Sequence, residues 1–271
     1  MSSNFGIPNS SEQHQSLNVA RCIENDVAQT KSAIDFFESK LKQLVKFSAQ
    51  HQYDREIIRL ALLGLVSLTE NYFRILLADV LRACPASHDL CAKMDVKFSS
   101  AHYYSAGAIS RSLVDGCVFS NSTNISDETK RLTGLNVLDS ESVKNALGEF
   151  HKVCILRHAA VHSFGRIGGK NAMDLGLRQT VNVMVSPSHE AFDEICGICQ
   201  NLVRAYNSFM WKACVARLTS KRQLRFDDSS DDRAFFVELQ TIFWERPKLD
   251  EDAGSLYRRL CSPDLPAAVS H

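Results

Sequence analysis

Ile57-Ile58-Arg59-Leu60-Ala61-Leu62-Leu63-Gly64-Leu65-Val66-Ser67-Leu68-Thr69-Glu70-Asn71-Tyr72-Phe73-Arg74-Ile75-Leu76-Leu77 is the most apolar stretch of the chain. It predicts one helix over about 54 to 84, with Asp54 as the N-cap and Pro85 as the stop at the far end. Apolar residues fall on nearly every side of this helix. That is the pattern of a central helix enclosed by others, and it sets the expectation of an all-α bundle. Glu70 breaks the apolar surface, and a carboxylate in such a place must be paired or reach water. An Arg or His from elsewhere is its expected partner, and residues 157 to 162 offer both.

Toward the N-terminus, Val19, Ile23, Val27, Ile34, Phe37, Leu41, Leu44 and Phe47 recur at three- and four-residue steps, which predicts a helix over 17 to 51. Its apolar stripe either docks on the core or joins two subunits. Residues 1 to 16 are polar and read as disordered. Beyond the central helix, 85 to 98 reads as a polar connection, 99 to 119 as a helix, and 121 to 126 as a surface loop. Ser140-Glu141-Ser142 opens a helix that carries Val143, Ala146, Leu147, Phe150, Val153, Cys154, Leu156 and Val161, and Gly165, Gly168 and Gly169 end it. Residues 180 to 185 alternate like a strand, suggesting a small β-hairpin with 164 to 167. Ser186-Pro187 opens a last long helix that runs to about 218. The expected organisation is therefore a bundle over 17 to 218 and a C-terminal appendage over 219 to 271 with one amphipathic helix.

The formal net charge is zero, from 31 Lys and Arg against 31 Asp and Glu. No global field draws such a chain to nucleic acid or to an acidic membrane, so any polyanion site must be local. No uninterrupted apolar run reaches the ~18 residues of a membrane span, and Met1-Ser2-Ser3-Asn4-Phe5-Gly6-Ile7-Pro8 lacks the basic and apolar regions of a signal peptide. A cytoplasmic protein is expected. The nine cysteines are scattered through apolar surroundings and read as small core residues. Cys196 and Cys199 have CxxC spacing but neither a thioredoxin-like context nor a second ligand pair.

The chemistry concentrates at Arg157-His158-Ala159-Ala160-Val161-His162, followed by Ser163-Phe164-Gly165-Arg166-Ile167. On an ideal helix His158 and His162 lie about 40° apart, and Arg157 and His162 about 140° apart. Three readings compete. One is RNA cleavage by the 2′-hydroxyl, which needs a base, an acid and a cation beside the phosphoryl oxygens; His and Arg supply these without a metal or cofactor. Two motifs facing across a two-fold axis would double the set. Another is a zinc site from Cys154, His158 and His162, but the first and last lie about 12 Å apart along the helix. The third is structural, with Arg157 capping carbonyls or pairing with Glu70, and the imidazoles satisfying the helix end. Lys152, Arg157, Arg166, Lys170 and Arg178 face one acid, Asp174, between 151 and 180, and Lys152, Arg166 and Lys170 are the candidate substrate-binding cations.

Arg157-His158-Ala159-Ala160-Val161-His162 resembles the Arg-polar-xxx-His motif of the HEPN superfamily. Ser67-Leu68-Thr69-Glu70-Asn71-Tyr72 resembles the first core helix of its RiboL-PSP-HEPN and abortive-infection branches, and the glycine-rich turn after His162 resembles theirs. The likeness spans about residues 54 to 215. It implies a HEPN-type helical bundle, a homodimer with a composite site, and a metal-independent endoribonuclease that leaves a 2′,3′-cyclic phosphate. Carried over by position, Arg157 would contact the scissile phosphate and His162 would be the acid or base. His158 would orient the pair or share the proton transfer, and Glu70 would support the motif. Such proteins often act as toxins or phage-defence effectors, which implies an antitoxin or other regulatory protein. The alternative is a non-catalytic helical module that binds a protein or nucleotide.

Overall fold

The computed structural model describes residues 17–24, 32–104, 108–178, 183–244 and 253–261. The chain divides into two compact units, 1–30 and 31–271. Among its described residues the first contains a 3₁₀ turn, Val19–Arg21, with no buried residue. The second is all-α: α1 (Ala33–Gln50), α2 (Arg55–Ala83), α3 (Pro85–Cys91), α4 (Phe98–Tyr103), α5 (Ile109–Asp115), α6 (Ser122–Thr133), α7 (Glu141–His162), α8 (Gly169–Asp174), α9 (His189–Ser220), α10 (Ser230–Phe243) and α11 (Ala253–Cys261). The expected disorder of 1 to 16 lies outside the described residues, as does part of the long helix expected over 17 to 51.

Helix α2 is the axis of this unit. Asp54 caps it by accepting from the backbone N–H groups of Glu56 and Ile57 at 3.0 and 3.2 Å. Ile58, Leu62, Leu65, Val66, Tyr72, Phe73, Leu76, Leu77 and Val80 are buried, against α1, α5, α6, α7, α9 and α10. By length and composition alone α2 could cross a membrane; here half of its most apolar window is buried inside the bundle. Its aromatic centre is specific as well as apolar. The Tyr72 hydroxyl donates to Asn207 Oδ1 at 3.2 Å, Tyr206 and Thr129 share a 2.6 Å hydrogen bond, and Phe73 meets Tyr206 edge to face at 4.8 Å.

Several short elements differ from expectation. Pro85 ends α2 but also begins α3: Cys84 is extended, as the residue before proline prefers, and Pro85 occupies the first turn, where its missing N–H is harmless. The expected helix over 99 to 119 is split into α4 and α5. The expected loop over 121 to 126 is the start of α6, capped by Asn121, which accepts from Asn124 N at 2.7 Å. Its polar composition is compatible with burial because Thr129 and Thr133 return their hydroxyl protons to the carbonyls of Ile125 and Thr129, at 2.6 and 2.7 Å.

After 220 the described residues of the second unit carry two helices, α10 and α11, where one was expected. Phe236, Leu239, Ile242 and Phe243 of α10 join the core. Buried Asp232 accepts from Arg225 N and Phe226 N, both at 2.8 Å, and from the Tyr257 hydroxyl at 2.7 Å, which ties α11 to α10. Of the expected hairpin the described residues hold one antiparallel bridge, Arg166 with Met184. Ile167 N donates to Val183 O at 3.0 Å and Val185 N to Gly165 O at 2.8 Å. Residues 180 to 182 lie outside the described residues.

Candidate functional site

Helix α7 keeps a buried side as far as Ala160 and presents the motif's polar residues beside it. Ser140 caps its start, and Val143, Ala146, Leu147, Phe150, Val153 and Cys154 are buried as it packs between α2 and α9. Past Cys154 the buried side narrows to Ile155, Ala159 and Ala160, while Arg157 is partly buried and His158 and His162 are exposed. The two imidazoles are one turn apart, with ring centroids 4.5 Å apart and planes tilted by 44°. The helical spacing thus makes the histidines neighbours, as expected from sequence.

Arg157 has no hydrogen bond and no ion pair among the described residues. It neither caps a carbonyl nor pairs with Glu70. Glu70 instead pairs with Arg74, one turn further along α2, at 3.4 Å, and its other oxygen, Oε1, is buried without a hydrogen-bond partner. Arg74 also donates to the Cys117 carbonyl at 3.2 Å and lies over the Phe119 ring. The expected partnership of Glu70 with 157 to 162 is therefore replaced by a local one, because an i,i+4 pair on one helix face closes without tertiary reach. Glu70 still lies near the motif helix. Burial pushes the Cys154 thiol up to about 12, with the Glu70 charge raising it and the Arg157 charge lowering it. Cys154 is thus a protonated core thiol between an acid and a base, not a nucleophile.

The turn after His162 is closed by backbone hydrogen bonds: Ser163 N and Gly165 N both donate to Ala159 O, at 3.1 and 2.9 Å. Phe164 and Gly165 have positive φ, 50° and 92°. Buried Arg59 of α2 supports the turn, donating from Nη1 to Phe164 O at 3.3 Å, with its guanidinium carbon 4.8 Å from the Phe164 ring centroid; its other face pairs with Glu56. Sequence reasoning passed over Arg59 and Phe164. An arginine on the buried side of an apolar helix was the available signal, since such a cation must find acceptors.

The other predicted residues are less tightly placed. Exposed Lys152 is bound to Glu149 of its own helix at 2.8 and 2.9 Å, so its charge is locally compensated. Arg166 is exposed at the bridge with Met184, and Lys170 is exposed in the first turn of α8. Neither has an ion pair among the described residues. Nor do the described residues contain a group of three or more His, Cys, Asp or Glu side chains placed to hold a metal ion. The arrangement places the Arg157 guanidinium, without an ion pair among the described residues, beside two neighbouring imidazoles, groups suited to an anion and to proton transfer.

No protein-family model matches the chain, and neither a curated protein nor a solved structure matches it.

Proposed function

We propose that the chain is a HEPN-type, metal-independent endoribonuclease that works as a homodimer in the cytoplasm. The observation that supports it most is the Arg157 guanidinium: partly buried, without an anionic or carbonyl partner among the described residues, and one residue from a pair of touching imidazoles. A cation left in that state is suited to an anion that arrives from outside. In the reaction, one imidazole takes the 2′-hydroxyl proton as the oxygen attacks phosphorus, the P–O5′ bond breaks, and an imidazolium protonates the departing oxygen. A cyclic phosphate and a 5′-hydroxyl result. Arg157 offsets the charge that builds on the phosphoryl oxygens. His162 is the acid or base, His158 shares or orients the transfer, and Glu70 supports α7 from α2. Arg166 and Lys170 add local positive charge for the flanking phosphates, which a chain of zero net charge must supply at the site itself.

One motif provides one arginine, and a second copy across a two-fold axis provides another; exposed Val161, between the two histidines, would then be covered. A toxin or phage-defence role with a restraining protein fits a nuclease of this kind. The test is cleavage of RNA in EDTA by the purified protein beside Arg157→Ala and His162→Ala, with circular dichroism as the folding control. Cleavage that survives both substitutions removes the motif from the mechanism. Absence of cleavage at any protein concentration favours a non-catalytic binding module, and activity lost in EDTA but restored by zinc favours a metal site.

A further inference from the structure

We propose that Phe164 is a stacking platform for an unpaired base beside the scissile phosphate, so that the site acts on single-stranded RNA and discriminates against paired RNA; this rests on the ribonuclease reading above. Phe164 is 77% exposed and stands two positions beyond His162. Its φ of 50° is in the left-handed region, which residues with a side chain rarely occupy. An aromatic residue that is neither buried nor in a relaxed backbone is not explained by packing.

The local structure holds this ring in place. Gly165 N reaches back to Ala159 O at 2.9 Å and Arg166 N donates to Ser163 O at 3.0 Å, which fixes the Phe164 backbone in the turn that ends the histidine-bearing helix. Arg59 engages both parts of the residue, its carbonyl at 3.3 Å and its ring at 4.8 Å. Because Arg59 is itself buried and paired with Glu56, the ring rests on a fixed guanidinium and its orientation is set before a ligand arrives. Most of the ring surface remains in water. A nucleotide at this end of α7 meets the Arg157 guanidinium, unpaired among the described residues and suited to its phosphate, and an oriented aromatic face suited to its base. Stacking tolerates every base, since each has a π face, but it requires the base to leave a duplex. The site therefore selects strandedness rather than sequence.

The test uses the full chain, wild type and with Phe164→Leu or Phe164→Tyr, and a fluorescent RNA oligonucleotide made uncleavable by 2′-O-methylation. Binding is measured by anisotropy with the strand single and annealed to its complement. Wild type is expected to bind the single strand at least ~10-fold more tightly than Phe164→Leu, with Phe164→Tyr close to wild type. The duplex is expected to bind wild type and Phe164→Leu alike. In parallel, an unmodified strand is cleaved by all three proteins to separate KM from kcat. If wild type binds and cleaves single strands and Phe164→Leu does so equally well, the platform is overturned while the nuclease reading stands. If wild type neither binds nor cleaves RNA, both fall. If Phe164→Leu sediments as a smaller species than wild type, the ring is a subunit contact and the platform is again overturned.

Discussion

Arg59 lies directly beneath Gly165: a methyl group on that glycine would stand 2.7 Å from Arg59 Nη1, closer than any relaxed contact. The glycine is needed twice, for this approach and for its φ of 92°. Gly165→Ala is expected to destabilise the protein by about 1–3 kcal/mol, read by urea unfolding. Arg59→Met relieves the steric part, so the double variant should lose less than the two single losses added together. A strictly additive pair would separate Arg59 from the turn.

Arg157 leads to an opposite expectation for stability. With no partner among the described residues, its guanidinium contributes little to the folded state, and Arg157→Ala should change unfolding free energy by no more than about 0.5 kcal/mol. Cleavage should fall by roughly two to three orders of magnitude, the usual loss when a preorganised charge at a developing anion is removed. Arg157→Lys should restore only part of it, because an ammonium lacks the planar fork. A variant that unfolds instead would make Arg157 a structural residue.

The Glu70–Arg74 pair tests how the acid in α2 is tolerated. The Glu70 side chain is 13% exposed and that of Arg74 32%. Arg74→Met leaves the carboxylate without its cation and should destabilise by about 1–2 kcal/mol, a figure reduced for partial exposure. Adding Glu70→Gln removes the stranded charge, so the double variant should be more stable than Arg74→Met alone. The reverse order in thermal or urea unfolding would show that Glu70 draws its compensation elsewhere.

Alkaline pH should weaken the fold through its buried thiols. Desolvation pushes Cys154, Cys196 and Cys199 up to about 12 each. In the unfolded chain a thiol ionises near ~8.5. Between these values the unfolded state binds fewer protons than the folded one, so this stability is fully present below the unfolded value and is lost as pH rises toward about 12. Each such thiol contributes a slope of up to about 1.4 kcal/mol per pH unit in that window. Unfolding at pH 7.5 and 9.5 should show the decline, and Cys154→Ala should make it shallower. Equal slopes in wild type and variant would contradict the assignment.

The long helices were legible because their signals are local and redundant. In α2 and α7 an oxygen-bearing cap stands before a run of apolar residues, so Asp54 and Ser140 each announce a start; the cap of α9 is Ser188, two residues past the expected Ser186. The short helices were not. Residues 121 to 126 have the composition of a loop, yet they begin a helix in which the Thr129 and Thr133 hydroxyls are satisfied by the helix's own carbonyls and Thr129 also meets Tyr206. Polar residues suppress the apolar period that identifies a helix, so packing decides. Likewise Asp232, in the first turn of α10, is buried and holds three donors, which its place in an acidic run does not announce.

At the candidate site the division is equally physical. Sequence alone determined the all-α class and the neighbouring of His158 and His162, because helix geometry links residues four apart wherever the helix sits. Tertiary structure alone decided that Arg157 goes without Glu70 and that Arg59 reaches across 105 positions to hold Phe164. Side-chain partners across such separations depend on how the helices pack, and no spacing along the chain encodes them.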